Sequence, residues 1–212
     1  MEGMQTGAPT EMMPQNLIYQ PGSFFERLDL AQMFARPQAL EVELGCGDST
    51  FIAEWAWQNP ERNFLGVERL MGRIRKLDRK GRRLGLSNLR GLHIEAAYCL
   101  EWLLPFEAVS GIHIYFPDPW PKRKHWPKRL VNDRFPALAA RRLVPGGLVY
   151  LRTDDLAYFS QMTEVFAASN DFKMVETPPE LSAILTDFER EFLAQGKMTR
   201  RAAYQRISAA VT

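Results

Sequence analysis

Between residues 39 and 153, five apolar runs of strand length are separated by four stretches of helical length. "ALEVELG" (39–45) alternates Leu40, Val42 and Leu44 with acids, a period of two. "STFIAEWAWQNP" (49–60) reads as a helix that must stop before Pro60. "NFLGVE" (63–68), "LRGLHIE" (89–95), "GIHIYF" (111–116) and "LVYLRT" (148–153) continue the strands. Helical "RLMGRIRKLDRKGRRLG" (69–85), "AYCLEWLL" (97–104) and "NDRFPALAARRL" (132–143) stand between them, and "PGG" (145–147) turns into the fifth strand. Strands alternating with helices need crossover connections, so the expected fold is α/β, with a mainly parallel sheet covered on both faces. "NDFKMVET" (170–177) and "AAYQRISA" (202–209) bring the expected sheet to seven strands, and "FFERLDLAQMF" (24–34) suggests a short helix before the first.

A length of 212 residues suits one such domain, expected over 23–212. Residues 1–22 are rich in Met, Pro, Gln and Gly without periodicity and are expected to form a mobile or loosely docked arm. No run is long and apolar enough for a membrane span, and the N-terminus lacks the pattern of a secretion signal. Cys46 and Cys99 are the only cysteines; as two free thiols they point to a reducing, cytoplasmic setting. His93, His113 and His125 are scattered and make no metal-ligand pattern, so no metal is expected.

The net charge is only +2, but the basic residues are clustered. Eight of the residues between Arg69 and Arg83 are Arg or Lys, opposed by Asp78 alone. Lys122, Arg123, Lys124, Lys128 and Arg129 form a second cluster, and Lys197, Arg200, Arg201 and Arg206 a third. Local basic patches on a near-neutral chain suit a polyanion docked on one face, although Lys and Arg also serve simply as solvated helix formers. On helix 69–85, Leu70, Ile74, Leu77 and Leu84 are expected to face the sheet, with Arg69, Arg73, Lys76, Lys80 and Arg83 on the adjoining face.

Two segments have the character of a site. In "VELGCGDS" (42–49), Gly45 and Gly47 allow a tight turn between strand and helix. The third glycine of a dinucleotide fingerprint is absent, and Asp48 puts negative charge where a pyrophosphate would lie. Glu68 ends the next strand, where an acid can accept hydrogen bonds from ribose hydroxyls. Glu43 lies within a strand, where a buried carboxylate calls for a cationic partner. Together these favour a ligand with a ribose, an ammonium and no phosphate, such as S-adenosyl-L-methionine, over a nicotinamide dinucleotide. The second segment is "IYFPDPWPKRKHWPKR" (114–129), where Asp118 falls at the carboxyl edge of the sheet between Pro117, Pro119 and Pro121. The prolines restrict φ and stiffen the loop, which suits a group whose position must be accurate. Trp120 and Trp126 offer faces for stacking, and Lys122, Arg123 and Lys124 offer charge for phosphates.

These segments, with "RTDD" (152–155) and "TDFEREFLAQG" (186–196), resemble the bacterial single-chain tRNA (guanine-N7)-methyltransferase family. The resemblance implies a Rossmann-like class I methyltransferase domain, S-adenosyl-L-methionine as donor and a guanosine of the tRNA variable loop as acceptor. It implies cofactor contacts from Glu43, Gly45, Gly47, Glu68, Glu95, Ala96 and Asp118, with Asp118 also catalytic. It implies substrate contacts from Lys122, Asp154, Thr186, Asp187, Phe188 and Glu189. Glu95-Ala96 stands where the family often has Asp-Ala, and Ser49 where many members have glycine. Thr186 followed three residues later by Glu189 is also a helix capping box. The partner implied is tRNA, with no obligatory protein partner and a monomer or homodimer. Alternatives are a methyltransferase for another RNA or a small molecule, and a catalytically silent RNA-binding module on the same scaffold. The basic clusters argue against a small molecule, and the intact set Glu43, Glu68, Asp118 and Asp154 argues against a silent module.

Overall fold

The computed structural model describes residues 16 to 207. In chain order it contains β1 (Ile18–Tyr19), α1 (Leu30–Met33), β2 (Leu40–Leu44), α2 (Thr50–Gln58), β3 (Asn63–Glu68), α3 (Met71–Arg83) and β4 (Leu89–His93). Then come α4 (Ala96–Tyr98), which runs into a π-helical turn (Cys99–Leu103), β5 (Val109–Tyr115) and a 3-10 turn (Arg123–Lys128). The chain continues through α5 (Phe135–Arg142), β6 (Leu143–Thr153), α6 (Leu156–Ala167), β7 (Phe172–Val175), α7 (Pro179–Ala183), α8 (Asp187–Ala194) and β8 (Arg200–Arg206).

All eight strands form one sheet in the order β1-β4-β3-β2-β5-β6-β8-β7. Pairing is parallel from β1 through β6, and β8 alone runs against its neighbours. The expected seven strands are therefore present and an eighth is added at the edge. That eighth, β1, comes from the expected arm: Leu17 is fully buried and Ile18 and Tyr19 pair with Gly91 and Leu92. The earlier part of the arm lies outside the described residues. The turn at 145–147 is an irregularity inside one long strand, because pairing with β5 resumes at Gly111↔Leu148 after Val109↔Leu143.

Alternation along the strands sends two different sets of side chains to the two faces. Leu40, Val42, Leu44, Leu65, Val67, Ile112, Ile114, Val149 and Leu151 enter one core with α5, α6 and the π-turn. The opposite face receives Phe64, Leu89, Tyr115, Tyr150 and Ala203 under α2 and α3. Glu41, Glu43, His113 and Arg152 share the strand parity of this second set, so a cluster of buried polar groups forms on that side of the sheet. There His113 donates or accepts at Glu41 Oε2 and the Tyr115 hydroxyl (both 2.8 Å), and the Trp55 indole donates to the same carboxylate. Glu41 is drawn down to about 2: burial opposes its charge, but His113, Trp55 and Arg62 together outweigh that.

The apolar stripe of α3 is narrower than expected. Ile74 and Leu77 are fully buried, but Leu70 precedes the helix and Leu84 follows its last turn, and both are exposed. Asp78 and Gly81 take the remaining inward positions. Asp78 accepts the Leu17 N–H (2.9 Å), which satisfies the edge segment. At Gly81 a Cβ would come within 2.3 Å of Leu17 Cδ1, so this close approach needs glycine.

Candidate active site

The turn after β2 is held from below. Gly45 N and Cys46 N both donate to Val67 O (2.9 Å each), and Gly47 N donates to Glu68 Oε2 (3.2 Å). Gly45, Gly47 and Ser49 have φ of +85°, +51° and +62°. Two of the three positions are glycine, and Ser49 is strained where a glycine would not be. Glu68 accepts the Leu70 N–H through its other oxygen (2.9 Å), so one buried carboxylate ties the turn to the approach of α3. A carboxylate has about four acceptor positions, which leaves Glu68 capacity for a ligand hydroxyl.

Two adjoining cavities open here. One, of about 330 Å³, is lined by Gly45, Glu68, Arg69, Glu95, Ala96 and Asp118 among others. The second, of about 210 Å³, is lined by Glu43, Gly45, Gly47, Tyr115, Thr186, Asp187 and Phe188. Gly45, Arg73 and Phe116 line both. Every residue expected at the cofactor borders one or the other. Of the expected substrate residues, Thr186, Asp187 and Phe188 border the second cavity, and Lys122, Asp154 and Glu189 border neither.

Glu43 is the outstanding group. It is 3% exposed, and its Oε2 has no hydrogen-bond partner. Burial pushes its carboxyl well above the ordinary range, and Glu68 adds to the rise while Arg152 opposes it. A buried acceptor without a donor fits a ligand that brings a cation or an N–H. Asp48 contributes less negative charge to the site than the sequence suggested. Its carboxylate is turned to Lys76 (2.8 Å) and Arg73 (3.8 Å), which hold it below its usual range.

Asp118 sits on a loop under strain. Phe116 and Trp120 adopt φ of +51° and +45°, where bulky residues cost about 1–3 kcal/mol each. The loop is pinned at both ends: Phe116 N donates to Arg152 O (2.8 Å), and Arg129 Nε donates to Pro119 O (2.7 Å). Arg129 is itself buried between the Trp126 and Tyr158 rings. The Asp118 carboxylate is largely exposed, 3.8 Å from the Arg69 guanidinium. Trp120 packs edge-on against His125 under the Lys128 ammonium, and Trp126 lies against Arg123 and Arg129. Glu95 accepts the Tyr98 N–H (2.8 Å) and starts α4.

The TDFE run begins α8 with the capping box complete: Thr186 Oγ1 accepts from Glu189 N (3.1 Å), and Glu189 Oε2 accepts from Thr186 N (3.0 Å). Glu189 is fully buried and also receives Arg152 (2.8 Å) and Arg201 (2.8 Å). Asp187 accepts from the Thr50 hydroxyl (2.6 Å), beside Lys80 (3.8 Å). The Phe188 ring stands exposed at the cavity mouth, packed on Phe116 and Phe192. Sequence reasoning missed Arg152 and Tyr115, and it placed Lys80 only on the basic face of helix 69–85, not at the glycine turn. An arginine inside the otherwise apolar "LVYLRT" was the available signal for the first.

A family model described as putative methyltransferase matches residues 37 to 202, which span both cavities. The tRNA (guanine-N(7)-)-methyltransferase of Syntrophotalea carbinolica is 33% identical over 199 residues, 87% of this chain and 84% of that protein. The chain belongs to the tRNA (guanine-N7)-methyltransferase family. The Nitrosospira multiformis member is 33% identical over 92% of this chain and 86% of its own length. The Thermotoga maritima member is longer: 31% identity extends over 89% of this chain and 59% of that protein. Among solved structures, the 16S rRNA methyltransferase KamB superposes with a TM-score of 0.61 at 18% identity, covering 87% of this chain and 95% of KamB. That likeness establishes the shared class I methyltransferase fold.

Proposed function

We propose that this chain methylates N7 of a guanosine in the tRNA variable loop, with S-adenosyl-L-methionine as donor. The observation that carries the reading is Asp118, fixed on a stiff, strained loop at the border of the cavity that Glu68 and Glu95 line. The donor fits these residues: Glu68 has acceptor capacity for ribose hydroxyls, and the unpartnered Glu43 oxygen suits an ammonium group. When bound, S-adenosylmethionine supplies an electrophilic methyl group on a sulfonium.

Guanine N7 has a free lone pair at neutral pH, so the protein need not remove a proton to create the nucleophile. Its task is orientation, which can supply much of the acceleration. Methylation leaves the purine cationic, and Asp118 offsets that charge or accepts from the guanine N1–H and amino edge. Thr186, Asp187 and Phe188 close the other side of the site, and Phe188 offers an aromatic face to a base. Lys122 and Asp154 stand outside the two cavities and act on RNA flanking the target. The protein works in the cytoplasm, as expected for a tRNA modifier with two buried free thiols, and without an obligatory partner. No helix among the described residues is long and apolar enough to cross a membrane.

The test is to incubate the purified protein with methyl-labelled S-adenosylmethionine and tRNA from cells lacking 7-methylguanosine, then digest and identify the labelled nucleoside. Label in 7-methylguanosine, lost in Asp118→Ala while S-adenosylhomocysteine still binds, is the expected result. Label in another nucleoside would overturn the substrate, and no label with intact cofactor binding would overturn the activity.

A further inference from the structure

Helix α3 carries two basic rows with different surroundings. The inner row, with Arg69 just before the helix, is engaged with acids of the site. Arg73 lies 3.7 Å from Glu68, Lys76 pairs with Asp48 (2.8 Å), and Lys80 donates to Asp48 O (2.7 Å) beside Asp187. The outer row is Arg75, Arg79 and Arg83, all exposed and none with an acidic partner among the described residues. The single acid of the helix, Asp78, points inward, where it accepts the Leu17 N–H and pairs with Arg82 (2.8 Å).

We infer that Arg75, Arg79 and Arg83 form a track for the phosphate backbone of the RNA on one side of the target nucleotide. This rests on the reading of the chain as a tRNA methyltransferase and adds to it the direction in which the RNA lies. Four observations support it. Like charges at i and i+4 destabilise a helix, so three arginines in that register make a poor solvated face and a good polyanion face. The row is of one sign only, whereas solvated helix faces usually mix both. It starts six residues, under two helical turns, from Arg69, whose guanidinium faces Asp118, so the track begins close to the site. And the span from Arg75 to Arg83 is eight residues, roughly 12 Å at about 1.5 Å each, long enough for the row to meet more than one phosphate along a strand. Planar guanidiniums suit phosphate oxygens. Lys122, Arg123 and Lys124 follow Asp118 closely in the chain and are exposed, a second set of cations near the site.

Such contacts orient the RNA and leave base choice to the cavity. The test compares the parent with Arg75→Gln/Arg79→Gln/Arg83→Gln and with Arg141→Gln/Lys173→Gln, two exposed cations on other elements. Affinity for unmodified tRNA is measured against salt, with S-adenosylhomocysteine binding as the check on folding. The triple variant is expected to bind tRNA at least about tenfold more weakly at 0.1 M salt, with a salt slope shallower by about two. The control pair should leave both unchanged. Equal slopes and affinities for parent and triple variant would overturn the track and leave the row to an acidic protein surface or to solvent. Parent binding that depends on the row without 7-methylguanosine formation would sink the proposed activity alone, whereas a parent that binds no tRNA would overturn both.

Discussion

Glu189→Gln is the most informative single substitution. Glu189 is 0% exposed and Arg152 1%, with 2.8 Å between Oε2 and the guanidinium. The second oxygen meets Arg201 at 2.8 Å, and Arg201 is about one-third exposed. Glutamine keeps the volume but removes the charge, leaving the buried Arg152 cation without its ion-paired carboxylate, held by the Ile184 and Leu181 carbonyls. Breaking a buried pair in this way costs about 3–5 kcal/mol. Water covers part of the loss at Arg201, and the amide oxygen keeps one acceptor, so the lower end, about 3 kcal/mol, is expected. For a chain of this size each kcal/mol lowers Tm by about 2–4 °C, so the melting point should fall by roughly 6–12 °C.

The same change should act on function through position. The new amide N–H group must face Arg152, Arg201 or the Thr186 N–H, all of them donors, so the capping box opens and Thr186 to Phe188 shift away from the cavity. The assay is thermal unfolding by circular dichroism, with tRNA methylation and S-adenosylhomocysteine affinity measured on the same preparation. Lower Tm, weaker methylation and near-parental cofactor affinity are the expected set. An unchanged Tm with methylation abolished would refute the reasoning and make Glu189 a direct substrate ligand.

Two further outcomes follow from the same side of the sheet. Because burial raises the Glu43 carboxyl, the folded protein holds that proton more tightly than the unfolded chain, so its contribution to stability falls as pH rises above the ordinary carboxylate range. Glu43→Gln should therefore melt higher than the parent at about pH 8, with the gap closing near pH 5, and differential scanning fluorimetry reads this directly. The parent's S-adenosylhomocysteine affinity should rise with pH over the same window and the variant's should not; a flat parental profile would contradict an ammonium at Glu43. Lys80 joins α3 to the glycine turn and to α8 through Asp48 O, Thr50 Oγ1 and Asp187. Lys80→Met should weaken tRNA and S-adenosylhomocysteine binding several-fold, with Lys80→Arg recovering part. Parental affinities for both in a folded Lys80→Met protein would show that the bridge does not hold the site in shape.

The sheet was legible from residue 39 onward because each parallel strand is buried on both faces and bounded by Gly, Pro or a helix. The alternation in "LEVEL" nevertheless misleads if it is taken as core against solvent: Glu41 and Glu43 face a second core and are as buried as Leu40 and Leu44. Strand β1 is two residues long, and its pairing depends on Asp78 and Gly81 some sixty residues away, so nothing local could announce it. Helix α6 did leave a local sign, with Tyr158, Met162, Val165 and Phe166 inward at helical spacing. At the site, glycines, prolines and acids were visible as types. What sequence could not supply was their partners: that Asp48 is paired with Lys76, that one oxygen of Glu43 is left without a donor, and that Glu189 is shared between two arginines.

Those partnerships explain why so acidic a site can serve a polyanion. Asp48, Glu68, Glu95, Asp118, Asp187 and Glu191 border the two cavities, a concentration of negative charge that would repel an RNA strand. The inner row of α3 stands against four of them at 2.8–3.8 Å: Arg69 at Asp118, Arg73 at Glu68, Lys76 at Asp48 and Lys80 at Asp187. At that range the pairs lie well inside a screening length of about 8 Å, so the acids are compensated locally at physiological salt. The outer row then meets the RNA without having to counter the site's own charge. A single basic helix therefore does two electrostatic jobs through two faces, and this is why thirteen residues hold seven cations and one acid in a chain whose net charge is only +2.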